Sequence, residues 1–140
     1  MRPLKTPPQL AQAIVSATAD ALIAVDASGT ITGCNPAAER LLGHTSDGAV
    51  GQTLALIIPA PSRPLHISGF HRAMETSEMD TGGAPVTALA THANGSEIEV
   101  ELVIGIITDA TRRAIGAVAA LRPAGSRRPL ESYAPNPAEG

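Results

Sequence analysis

Asn94-Gly95-Ser96-Glu97-Ile98-Glu99-Val100-Glu101-Leu102-Val103-Ile104-Gly105-Ile106 is the stretch that decides the fold class. Asn-Gly between apolar runs is a strong hairpin signal and reads as a type I′ turn, with positive φ at both central residues. After it, Ile98, Val100, Leu102, Ile104 and Ile106 alternate with Glu97, Glu99, Glu101, Val103 and Gly105. Successive strand residues point to opposite faces, so this is a strand with one buried face and one solvated face. The three glutamates mark the solvated side.

The neighbouring segments read as strands too. Val86 to Thr91 leads into the turn from the other side. A turn over Asp109 to Arg113 leads to Ala114-Ile115-Gly116-Ala117-Val118-Ala119-Ala120-Leu121. That run is apolar on both faces and is expected to be a central strand. Residues 77–85, with Gly82, Gly83 and Pro85, read as a loop.

Further upstream the pattern is a hairpin followed by helices. Leu22-Ile23-Ala24-Val25 and Thr30-Ile31-Thr32-Gly33-Cys34 flank the turn residues Asp26-Ala27-Ser28-Gly29. Asn35 is an N-cap, Pro36 occupies the first helical position, and Gly43 stops the short helix. His44 to Gly51 reads as loop, with another short helical stretch before Pro59. Ser62 is the expected cap of a longer helix reaching about Thr76, with Ile67, Phe70 and Met74 as its apolar stripe.

At the N-terminus, Thr6 and Gln9 form a capping-box pattern, with Pro7 opening the helix. Leu10, Ala13, Ile14, Ala17 and Ala21 recur at helical spacing, a thin face for the sheet or for a partner. From Pro123 onward Pro, Gly, Ser and Arg dominate, the composition of a disordered tail. The expected division is a flanking helix over 1–19, one domain over 20–122 and a tail over 123–140. The element order implies an α+β domain: one five-stranded antiparallel sheet with helices on one face, enclosing an apolar space.

Composition narrows the function. The chain has 140 residues, 44% of them hydrophobic, with a net charge of -3. Phe70 and Tyr133 are its only aromatics of the Phe, Tyr and Trp class, which argues against a stacking platform for nucleic acid. The charge argues against a phosphate-binding surface. Cys34 is the single cysteine, so an intrachain disulfide and a multi-cysteine zinc site are excluded. The apolar runs are far shorter than the ~20 residues that span a bilayer, so a soluble cytoplasmic protein is expected. The histidines lack H-E-x-x-H spacing, and there is no G-x-S-x-G, Walker A or G-x-G-x-x-G sequence, so an enzyme is not expected.

Several of these segments together resemble a PAS domain, the Per-Arnt-Sim sensory fold. They are Asp20–Asp26 with Gly29 and Ile31, Asn35–Gly43, Gly51-Gln52 with Ile57-Ile58-Pro59, the helix His66–Met74, Asn94-Gly95-Ser96 and Ile115–Val118. The similarity runs from about Leu10 to Leu121. It implies strand order 2-1-5-4-3 and a sensory or interaction module, often dimeric and without catalysis of its own. Some members bind haem, flavin or small metabolites.

Within that family, Pro59–His66 is similar to the haem-binding PAS domains of oxygen-sensing histidine kinases. The resemblance implies His66 as an axial ligand of haem b, Arg72 at a propionate, and Leu102 and Ile104 on the distal side. Val86 stands where an oxygen-contacting arginine often occurs, which implies an apolar distal side. Helix geometry independently puts His66 near Phe70, Gly69 and Ala73, on or beside the buried face, with His71 and Arg72 turned outward. The plainer expectation for His66 is a partly buried imidazole bonded to backbone; for Arg72, a solvated surface residue. His44 and His92 are expected to be exposed. Cys34 lies at a strand end, outside any flavin-photoreceptor motif, so flavin is not expected.

The sequence thus predicts a stand-alone sensory or interaction module with an unidentified signalling partner, pairing as a homodimer through the N-terminal helix. The alternatives are a haem-binding gas or redox sensor using His66, and a small-metabolite-binding protein. The pocket expected for either ligand contains His66, Phe70, Arg72, Val86, Leu102 and Ile104.

Overall fold

The computed structural model describes residues 6–79 and 83–125. Its elements run α1 (Pro7–Ala17), β1 (Ala21–Asp26), β2 (Ile31–Cys34), α2 (Pro36–Leu42) and α3 (Ser46–Ala49). Two 3₁₀ turns (Leu54–Leu56 and Ala60–Ser62), α4 (Arg63–Thr76), β3 (Val86–Thr91), β4 (Glu97–Thr108) and β5 (Ala114–Pro123) follow. The strands form one antiparallel sheet in the order β2-β1-β5-β4-β3. The doubly apolar run is β5, and it sits between β1 and β4 as its composition demands.

Alternation along β4 is realised as written. Val100 is fully buried while Glu97 and Glu99 face solvent. Ile23, Val25, Ile31, Ala117 and Leu121 join Val100 in the core, under Ala38 and Leu42 of α2. Helix α2 packs on β1 and β5, and α4 packs on β5. With few aromatics, close backbone approach substitutes for bulk. At Gly116 a Cβ would collide with the carbonyl oxygen of Val25 on the neighbouring strand.

Asn35 caps α2 by accepting from the Ala38 amide at 3.0 Å. It also does more than cap. Its Oδ1 accepts from Leu22 N–H at 2.8 Å, and its Nδ2 donates to the carbonyls of Val15 and Asp20, each at 3.0 Å. This buried amide therefore has all of its side-chain polar atoms engaged, as a polar group in a core must.

The hairpins differ from expectation in their turn type. At Asn94-Gly95 only Gly95 has positive φ, and its N–H donates to the carbonyl of His92 at 2.9 Å. His92 N–H in turn donates to Ser96 at 2.8 Å. This is a type I turn followed by a left-handed residue in a bulge, not type I′. The Asp26–Thr30 and Asp109–Arg113 turns have the same hydrogen-bond construction, with Gly29 and Arg112 in the left-handed position.

Other local expectations also shift. The N-terminal helix is capped by Thr6 as predicted, but it ends at Ala17, and Ala21 opens β1 instead of extending the helical stripe. The stretch read as loop after Gly43 contains α3, capped by Thr45 and held by Glu39, whose carboxylate accepts from Ser46 N–H at 2.9 Å. Ser62 precedes α4 but is itself helical and makes no side-chain cap, because the chain enters α4 directly from a 3₁₀ turn. Ile67, assigned to the buried stripe, is exposed; Ala73 takes that place. His44 and His92 are half-buried rather than exposed, the His92 ring lying where a Cβ on Gly43 would be. β5 carries the chain to Pro123, and residues 126–140 of the expected tail lie outside the described residues.

Candidate functional site

Five side chains of α4 share one face. At about 100° per residue, Arg63, His66, Ile67, Phe70 and His71 fall within a single arc. Opposite them lie Ser28 and Gly29 of the β1–β2 turn, Thr53, Leu54, Ala55 and Ile58. Between the two walls is an open pocket of about 190 Å³. Gly29 has φ +85°, and a Cβ there would lie 3.6 Å from the Phe70 ring. Phe70 also packs against the core cluster, so one ring forms pocket wall on one side and core on the other.

His66 is the unusual group. Its Nε2 is buried and has no hydrogen-bond partner among the described residues. Burial pushes the imidazole below its usual pKa, toward the neutral form. The plainer expectation, a backbone hydrogen bond, is therefore not met at Nε2. Arg63 donates its Nε to the carbonyl of Ile58 at 3.0 Å, which fixes its guanidinium at the pocket.

The expected pocket residues are only partly brought together. His66 and Phe70 line this space. Leu102 and Ile104 are half-buried and pack against the core instead, and Val86 is the cross-strand partner of Leu102. Arg72 is exposed on α4 and lies outside the pocket lining. Arg63, His71 and the β1–β2 turn were missed by the sequence reading. The spacing of Arg63, His66, Phe70 and His71 on one helix was the available signal for the first two; His71, exposed as expected, still lines the pocket.

Haem can be tested against this arrangement. An unpartnered buried Nε2 suits an axial ligand. The space does not suit the macrocycle: sites that enclose drug-sized ligands run from about 300 to 1,000 Å³, and this pocket is smaller. Val86, Leu102 and Ile104 do not line it. Beyond His66, the residues do not fit haem in this arrangement. Among the described residues no group of three or more His, Cys, Asp or Glu could hold a metal ion.

The family profile of the PAS fold matches residues 9–124. The chain belongs to the PAS family. It is 35% identical over 94 residues to an uncharacterized protein of Azorhizobium caulinodans, covering 66% of this chain and 13% of that protein. It is 31% identical over 94 residues to the sensor protein FixL of Bradyrhizobium diazoefficiens, covering 67% of this chain and 19% of FixL. The PAS domain thus corresponds to a small part of each curated relative. Among solved structures, a PAS domain from Colwellia psychrerythraea superposes with TM-score 0.69 at 23% identity, over 86% of this chain and 98% of that one. A Rhodobacter sphaeroides LOV protein superposes with TM-score 0.69 at 14% identity, over 87% and 70%. Both likenesses show the fold alone. No helix among the described residues is long and apolar enough to cross a membrane.

Proposed function

We propose that this PAS domain is a signalling module that acts by ligand-modulated protein–protein contacts, and that it works by binding rather than catalysis. The observation that carries this reading is α1. All its described residues are exposed, yet it displays Leu10, Ile14 and Val15, and it is hydrogen-bonded to the core through Asn35. An isolated helix of this length is marginal in water, so an apolar face left open supports a partner, and a second copy of the chain is the simplest one. The pocket under α4 supplies the ligand half of the reading, because Phe70 links its wall to the sheet core. A cytoplasmic setting and an unidentified downstream signalling protein complete the proposal. Sedimentation velocity of the full chain over a concentration series tests it: a reversible dimer is expected, and a monomer at high micromolar concentration would refute the homodimer.

Haem at His66 is the second reading, favoured by the orphaned Nε2 alone. The absorption spectrum of protein purified from haem-supplemented cells decides it. A Soret band lost in His66→Ala and kept in His71→Ala would support haem; a colourless protein that takes up no hemin would remove it.

A further inference from the structure

We propose that the pocket under α4 binds a small organic carboxylate, with the carboxylate at Arg63 and the apolar body against Leu54, Ile58 and Phe70. The inference deepens the sensory reading above and rests on it for its signalling consequence.

The charge of the lining selects the class. Three basic-type side chains come from successive turns of one helix, and no Asp or Glu lines the space. A cation would find no counter-charge there, whereas an anion would find a permanent one in Arg63. With Nε tied to Ile58, the two terminal guanidinium nitrogens remain to meet a carboxylate in fork geometry. Arg63 is also the first residue of α4, where the helix dipole reinforces its charge.

His66 lines the wall without meeting the carboxylate, because its Nε2 is closed off from the open space. Ser28 does not compete with Arg63 for the carboxylate. Its hydroxyl is engaged with Asp26 at 2.6 Å and Thr30 at 3.0 Å.

Size and apolarity set the rest of the molecule. A cavity of about 150 Å³ is enough for a benzene ring. The pocket of about 190 Å³ leaves room for such a body and its carboxylate. Leu54, Ala55, Ile58 and Phe70 are half-buried and form an apolar floor beside the basic edge. An amphipathic monocarboxylate matches both halves.

The test is a titration of the ¹⁵N-labelled full chain with sodium benzoate, followed by amide chemical shifts, with neutral benzamide as the isosteric control. Saturable shifts at Ser28, Gly29, Thr53 and His66 are expected with benzoate, and at least tenfold weaker binding with benzamide. Arg63→Gln should weaken benzoate at least tenfold while the spectrum stays that of the folded domain. His66→Gln, which keeps a polar side chain of similar reach, should weaken it less. Equal binding of benzamide, or no saturable shift with benzoate, would overturn the carboxylate assignment. That failure is separable from failure of the sensory reading: if benzoate does not bind but the dimer persists, only the ligand class falls. If benzoate binds and the wild type is monomeric at every concentration, the ligand class stands and the proposed dimer contact falls.

Discussion

The side-chain amide of Asn35 donates a hydrogen bond to the backbone carbonyl of Val15 at 3.0 Å, joining the first residue after β2 to the last turn of α1. Helix α1 buries none of its side chains, so this bond is a main tether between an exposed helix and the core. The same amide binds Asp20, Leu22 and Ala38, and it couples the helix to the start of β1 and to α2. A contact made through α1 is therefore connected to the sheet by one buried residue.

Asn35→Ala should lower stability by about 2–4 kcal/mol, the scale of losing an N-cap and leaving buried backbone groups unpaired. Asn35→Asp keeps both acceptor bonds and loses the two donor bonds. It also sets a buried carboxylate oxygen against the carbonyls of Val15 and Asp20, so at neutral pH it should cost at least as much as Asn35→Ala and should raise hydrogen exchange at the C-terminal end of α1. Urea midpoints and amide exchange rates check both; an unchanged midpoint in Asn35→Ala would contradict the tether.

Gly116→Ala should destabilise by about 1–3 kcal/mol, the usual cost of overpacking a tight site. The obstacle is the Val25 carbonyl, which is backbone and cannot rotate away. Gly33→Ala, with open space around its Cβ position, is the control and should change stability little. Equal urea midpoints for the two variants would show that β1 and β5 do not approach as described.

The two similar turns give opposite expectations. Gly95→Val should destabilise by about 1–2 kcal/mol, because a Cβ is forced into the left-handed region. At the equivalent place in the Asp109 turn stands Arg112, with φ +65°. Arg112→Gly should stabilise by about 0.5–1 kcal/mol, the relief of that strain less the added freedom of glycine in the unfolded chain. Thermal or urea unfolding reads both signs; a stabilised Gly95→Val would show the turn geometry to be wrong.

Acid should destabilise the domain partly through His66. Burial holds its folded-state pKa below the ordinary value of 6.5, so the unfolded chain binds more protons as pH falls through that value. Stability is then expected to rise with pH through the window below and around 6.5, and to fall toward acid. His66→Gln should show a shallower slope in urea midpoint against pH. An identical slope in the variant would mean that His66 does not titrate differently in the folded state.

Much of the fold was legible because its signals are local. Glutamates alternating with Ile and Val mark β4, and Thr6, Asn35 and Gly43 act at helix ends within a turn of themselves. The turn type was not legible at Asn94-Gly95. The dipeptide suits either arrangement, and the bulge is settled by how His92 and Ser96 pair. The reach of Asn35 to Val15 and Leu22 was hidden for the opposite reason: it depends on which segments the sheet brings together. His66 was singled out by the resemblance to haem-binding PAS domains, and its helical face supported that placement. Its companions across the pocket were not, because the β1–β2 turn meets Phe70 only in the folded chain.

The central claim, that a ligand modulates contacts made through α1, is tested most directly by sedimentation velocity of the full chain with and without saturating benzoate. Ile14→Asp provides the reference. Ile14 is 60% exposed, so the variant should be a folded monomer whose urea midpoint matches that of the wild type measured at concentrations where it is monomeric. For the wild type, a reversible dimer is expected whose dissociation constant changes at least fivefold when benzoate occupies the pocket. A dimer identical with and without bound benzoate, or an Ile14→Asp variant that stays dimeric, would contradict the account.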